Sequence, residues 1–138
     1  MEYLVVNWEA RQIEIPEKIT FLGVKDDNDT RTLKFKMPKV YKEKDVTGWN
    51  IWINYINALG KGDHYIVEET INDDGEFIYF EWEVGGSVYE KDGKVRFLVY
   101  VWKGNDINIV TNELHTTWAE LKVLPGGNVG ESIIKEYP

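Results

Sequence analysis

The stretch Glu76-Phe77-Ile78-Tyr79-Phe80-Glu81-Trp82-Glu83-Val84 decides how this sequence folds. Ile78, Phe80, Trp82 and Val84 recur at every second position, and Phe77, Tyr79, Glu81 and Glu83 fill the positions between them. Two is the side-chain period of a β-strand, so the first set faces a core and the second faces away from it. Just upstream, Asn72-Asp73-Asp74-Gly75 separates this run from another β-rich one, His64 to Ile71. An Asp-Gly pair in that position signals a hairpin, because glycine accepts positive φ without a Cβ clash. Gly85-Gly86 ends the run downstream.

The same pattern extends in both directions. Thr32-Leu33-Lys34-Phe35-Lys36-Met37 places Leu33, Phe35 and Met37 on one face and stops at Pro38. Arg11 to Ile15 alternates and stops at Pro16, and Lys18 to Val24 is a further strand candidate. Asn50 to Ile56 carries apolar groups on both faces, which predicts a central strand. Gly60-Lys61-Gly62-Asp63, Lys91-Asp92-Gly93-Lys94 and Gly104-Asn105-Asp106 read as turns, with a strand from Val95 to Trp102 between the last two. Shorter strands are expected at Ile107 to Val110 and Thr117 to Val123, and Pro125-Gly126-Gly127 closes the unit. No helical period is sustained anywhere. About nine short strands with punctuated turns predict an all-β fold. The expected form is a two-layer antiparallel β-sandwich, immunoglobulin-like or jelly-roll-like, with a β-barrel as the alternative. The sandwich domain is expected over residues 1–127. Residues 128–138 read either as an exit segment, with Ile133-Ile134 as its apolar pair, or as a frayed end.

Composition bounds the function. The 138 residues suit one compact domain, and 43% hydrophobic with 14% aromatic residues argues against disorder. Sixteen Lys+Arg against 24 Asp+Glu, a formal charge of -8, argues against binding a phosphate backbone. With no Cys there is no disulfide framework, zinc-thiolate site or thiol nucleophile, which fits assembly in a reducing cytoplasm. Met1 to Trp8 lacks the basic and long apolar regions of a secretory signal. The longest apolar run, Phe97 to Trp102, is strand-sized and far short of the roughly 18 residues of a membrane-spanning helix.

Clusters that suggest chemistry have plainer readings. Asp26-Asp27-Asn28-Asp29 is oxygen-rich but lacks the spacing, central Gly and distal Glu of a calcium loop, so it reads as a solvated connection. Asn72-Asp73-Asp74 is explained by its turn. Glu81 and Glu83 share a strand face about 7 Å apart, which meets the spacing of a glycosidase pair. Nothing else on the active-site checklist supports that chemistry. His64 and His115 would need a carboxylate such as Glu113 or Asp63 to hold a metal, and each reads better as an isolated residue. There is no Gly-x-Ser-x-Gly elbow and no phosphate loop. The expectation is no catalytic residue, no cofactor and no metal.

Six tryptophans, at 8, 49, 52, 82, 102 and 118, are the remaining signal. Trp82 reads as core. Trp102 shares a face with Leu98 and Tyr100 and suits either a second apolar layer or a partner surface. Trp8 stands outside the clean alternation, which makes it a docking candidate. Exposed rings on a sandwich also suit sugar stacking, and periodicity alone does not rank sugar against protein.

Several of these segments resemble the N-terminal β-sandwich of baseplate upper or tail-fibre-attachment proteins in phages and prophages of Gram-positive bacteria. They are Leu22 to Asp29 leading into Met37-Pro38, Ile53 to Gly60 leading to Asp63-His64-Tyr65, Ile78 to Gly85 with Gly93 to Phe97, and Thr116-Thr117-Trp118-Ala119 through Val123 to Gly127. The likeness spans roughly residues 17–127, and none of its motifs is catalytic. It implies a non-enzymatic structural part of the virion tail, assembled in the host cytoplasm, that docks a receptor-binding or fibre module to the tail tip. Its implied partners are other tail or baseplate proteins and further copies of itself, with no nucleic acid and no membrane. A carbohydrate-binding module using exposed Trp is the alternative. For the interface, the sequence points to Trp8, Tyr41, Trp49, Ile133 and Ile134.

Overall fold

A computed structural model of the chain describes residues 2–26, 31–72 and 75–126. The deciding stretch forms a strand, Phe77–Val84, that pairs antiparallel along its whole length with Arg31–Pro38. Phe80 lies opposite Phe35 and Trp82 opposite Leu33. The Phe35 and Phe80 rings stack at 5.1 Å and 5°, an offset-type aromatic pair on the core face.

In chain order the strands are β1 (Leu4–Asn7), β2 (Gln12–Glu14), β3 (Phe21–Val24), β4 (Arg31–Pro38), β5 (Val40–Tyr41), β6 (Lys44–Asp45), β7 (Asn50–Ile56), β8 (Gly62–Val67), β9 (Ile71–Asn72), β10 (Phe77–Val84), β11 (Gly93–Gly104), β12 (Val110–His115) and β13 (Ala119–Leu124). A single 3₁₀ turn, Gly86–Tyr89, follows β10, and the described residues contain no α-helix. The first sheet runs β2-β1-β4-β10-β9 and the second β3-β13-β11-β7-β8, with β12 also on β11; β5 and β6 form a small ribbon. The two sheets face one another over a shared core. Phe35 meets Phe97 edge-on at 6.5 Å, and Trp82 lies between Phe97 at 5.4 Å and Tyr55 at 5.7 Å.

The all-β, sandwich-like expectation is met, with one correction to its strand directions. Each sheet contains one parallel pair, β1 with β4 and β3 with β13, so the sheets are mixed rather than purely antiparallel. The central reading of Asn50–Ile56 is also met, since β7 lies between β11 and β8. The run expected from His64 to Ile71 is two strands. β8 belongs to the second sheet and β9 to the first, and the polar residues Glu68, Glu69 and Thr70 carry the chain across. The early strand starts only at Phe21, because Ile19 N–H donates to Pro16 C=O in a turn. Ile107 to Ile109 is likewise a turn, held by Ile109 N–H on Asp106 C=O and Asn108 N–H on the Asp106 carboxylate.

Among the described residues, Asn57 and Thr116 are polar residues buried inside this apolar frame. Asn57 shapes the β7–β8 hairpin. Its Oδ1 accepts the N–H of Leu59 and of Lys61, both at 3.0 Å, and its Nδ2 donates to Ser87 C=O at 3.0 Å. Thr116 joins β12 to β13. Its N–H donates to Val99 C=O at 3.0 Å, and its Oγ1 accepts the Val99 N–H at 3.1 Å. The expected exit segment 128–138, with Ile133 and Ile134, lies outside the described residues, as do Asp27 to Asp29 and Asp73-Asp74.

Candidate functional site

The second sheet carries an aromatic layer on its outer face as well as its inner one. Along β11 the inner face holds Val95, Phe97, Val99 and Val101, all buried. The alternate residues Leu98, Tyr100 and Trp102 therefore face outward. On β7 the outward set is Trp52, Asn54 and Ile56, and register places Trp52 opposite Tyr100 and Asn54 opposite Leu98. β8 adds His64 opposite Asn54 and Ile66 opposite Trp52.

These rings are mutually packed. The His64 ring stacks on Trp52 at 4.2 Å and 8°. Trp102 meets Trp52 edge-on at 5.7 Å and 90°, and Tyr100 does so at 6.4 Å and 74°. Trp102 is buried despite its outward direction, with Trp52 packed edge-on against it. The Tyr100 hydroxyl donates to Glu113 Oε2 at 2.5 Å. Burial pushes the Tyr100 hydroxyl up to about 12, and the bond to Glu113 and its negative charge add to the effect. At the rim, Ile66 is 49% exposed and Trp118 is 45% exposed, with the Arg96 guanidinium 5.9 Å from the Trp118 ring centre. Asn54 Oδ1 and Trp102 Nε1 are buried in this layer without a hydrogen-bond partner. Such atoms are uncommon in folded proteins, and each costs roughly 1–3 kcal/mol.

The sequence groups Trp102 with Leu98 and Tyr100 as a second apolar layer or a partner surface. That Trp52 and His64 join them depends on the β8–β7–β11 strand order, which local pattern does not encode.

The expected interface residues are distributed differently. Trp8 is 2% exposed, so it is a core residue and its ring is closed to a partner. Its signal was in the sequence: Leu4, Val6 and Trp8 share the period of two, and all three are buried. Tyr41 is half-buried against Trp8, ring centres 6.4 Å apart, with the Arg11 and Lys42 cations 5.5 and 5.3 Å from its ring centre. Trp49 is half-buried and packs against the core.

The catalytic and metal candidates also have places. Glu81 and Glu83 are exposed on the outer face of β10 and line a cleft of about 650 Å³. Neither sits in the apolar enclosure that a catalytic acid uses. His64 and His115 lie on β8 and β12, with β7 and β11 between them. At about 4.8 Å per strand they are roughly 14 Å apart, too far to share one ion. His115 Nδ1 is hydrogen-bonded to Thr116 C=O at 2.9 Å. Among the described residues no three His, Cys, Asp or Glu side chains gather as a metal site.

No family profile, curated protein or solved structure matches this chain.

Proposed function

We propose that this protein is a non-enzymatic docking module whose working surface is the outer face of the second sheet. The observation that carries this reading is the packed layer of Trp52, Tyr100 and Trp102, rimmed by Ile66, Arg96 and Trp118. Trp, Tyr and Arg are the residue types that dominate binding energy at protein interfaces. Rigid rings already held in place lose little entropy when a partner covers them. The sequence resemblance supplies the setting. The module serves as a structural part of a phage tail or baseplate, joins a receptor-binding or fibre element to the tail tip, and acts there as a homo-oligomer with other tail proteins.

The carbohydrate-binding alternative has weaker support. Sugar stacking needs an open ring face, and one face of Trp52 is covered by His64 while Arg96 lies over Trp118. Electron microscopy of the assembled tail particle tests the proposal. The expected result is density from a neighbouring protein across Trp52, Ile66 and Trp118. A particle that lacks this protein, or holds it with that face open to solvent, would sink the proposal. So would saturable glycan binding abolished by Trp52→Ala, which would favour the sugar reading instead.

A further inference from the structure

The first sheet has a gap in one flank. β9 pairs with β10 only at Asn72 opposite Ile78 and Ile71 opposite Tyr79. Beyond Tyr79 the chain leaves β10 through Glu69 and Glu68 and joins the other sheet as β8. Among the described residues no strand pairs with Phe80 to Val84 on that side, although β4 pairs with all of them on the other. The cleft of about 650 Å³ lies at this gap, lined by Phe80, Glu81 and Glu83 from β10 and by Tyr65 and Val67 from β8. An unpaired strand flank presents a row of N–H and C=O groups to any extended chain that can reach it.

The cleft's charge says what that chain is. Among the described residues that line it, Glu68, Glu69, Glu81 and Glu83 stand against one cation, Lys34. Ile71, 71% exposed, and the edge-on pair Tyr3–Tyr79 at 5.3 Å add apolar surface at its mouth. We infer that the β10 flank from Phe80 to Val84 is a strand-addition site for an extended, lysine- or arginine-rich segment of a partner protein. The incoming strand continues the line that β9 leaves off. Its backbone ladders on β10, its alternate basic side chains meet Glu81 and Glu83, and its apolar ones enter between β10 and β8. Main-chain bonds supply affinity in this mode, and the pockets for alternate side chains supply selectivity. The backbone ladder forms on the first sheet, and only β8, whose Tyr65, Ile66 and Val67 line the cleft, is shared with the sheet that carries the aromatic face.

Three fluorescein-labelled peptides of about eight residues test it, a length that spans an ordinary strand. One alternates lysine and valine, one alternates glutamate and valine, and one is the lysine peptide with proline at every third position. The lysine–valine peptide should bind at least about tenfold more tightly than either of the others, since proline cannot donate to a ladder. Glu81→Lys with Glu83→Lys should weaken it at least about tenfold, whereas Glu9→Lys with Glu120→Lys, the same charge change elsewhere, should not. In the unaltered protein, hydrogen exchange should show new amide protection within Phe80 to Val84 when the peptide binds, so the result does not rest on variants that fail to fold. Failure of the lysine–valine peptide to bind would overturn the inference. Equal binding by the proline peptide would reduce the site to bare charge attraction and overturn it as well. Equal loss in the Glu9/Glu120 control, or unchanged exchange at Phe80 to Val84, would do the same.

Discussion

Tyr100 stands between Trp52 on one strand and the Glu113 carboxylate on another. In the folded chain its hydroxyl keeps its proton up to about pH 12, whereas an unfolded tyrosine releases it near 10. The folded state therefore binds more protons than the unfolded state between those values. Stability from this group is fully present below pH 10 and is lost as pH climbs towards 12. Burial also raises Tyr55, which adds to the same slope. Urea melts from pH 9 to 12 should show Tyr100→Phe losing stability less steeply than the parent; identical slopes would count against this account. Gly23 makes a second residue-scale prediction. A Cβ there would lie 2.5 Å from Tyr89 Cε1, and that ring is buried with its hydroxyl donating to Leu22 C=O at 3.0 Å. Gly23→Ala should destabilise the fold by about 1–3 kcal/mol in denaturant melts, the usual cost of forcing atoms into a filled core. Neither constraint was readable beforehand. Gly23 sits inside an ordinary-looking strand, and Tyr89 lies 66 positions further along the chain. Trp8 shows the opposite case, a period of two present in the sequence but carried through too few strand residues to stand out.

β12 and β13 are successive strands that pair with the same flank of β11, and one extra residue separates their registers. His115 lies opposite Tyr100 and Ala119 opposite Phe97. This bulge changes which parity faces the core, from Leu114 and Thr116 to Leu121 and Val123. It leaves Trp118 pointing outward. Thr116 keeps the ladder closed across the irregularity, and Thr117 ties it to the β1–β2 turn through two bonds to Arg11 C=O. Thr116→Val keeps the shape but removes the acceptor for the Val99 N–H. It should cost about 1–3 kcal/mol in thermal or urea unfolding, the penalty of a buried unsatisfied donor; a neutral result would mean the bulge closes some other way. Strands with clean alternation, such as β4, β7 and β10, were legible in the sequence to within a residue or so. The bulge and the β8/β9 split were not, because each depends on which sheet a polar stretch hands the chain to, and local pattern does not encode that. The same reason hid the aromatic face and the open β10 flank, which exist only once strand order is set.

At the scale of the whole molecule, the formal charge of -8 opposes compaction. Among the described residues, the ion pairs Lys61–Glu90 at 3.5 Å and Lys18–Glu2 at 3.9 Å are exposed and long, and pairs of that kind contribute little. Screening should therefore remove more repulsion than attraction. Raising sodium chloride from low salt should lift the melting temperature by a few degrees, and a falling value would contradict this balance. The two parallel pairs were the main feature of the architecture absent from the sequence reading, since parallel neighbours need no local turn to announce them. One of them has a consequence for biosynthesis. β3 is complete at Val24, but β13, the strand it lies beside, begins at Ala119. At roughly 5–20 residues per second, translation leaves β3 waiting about 5–20 s for its neighbour to exist. Phe21, Leu22 and Val24 spend that interval on a nascent chain with no sheet to join. The birth order of the strands thus leaves the apolar side chains of β3 uncovered for most of the domain's synthesis, whatever the finished domain binds.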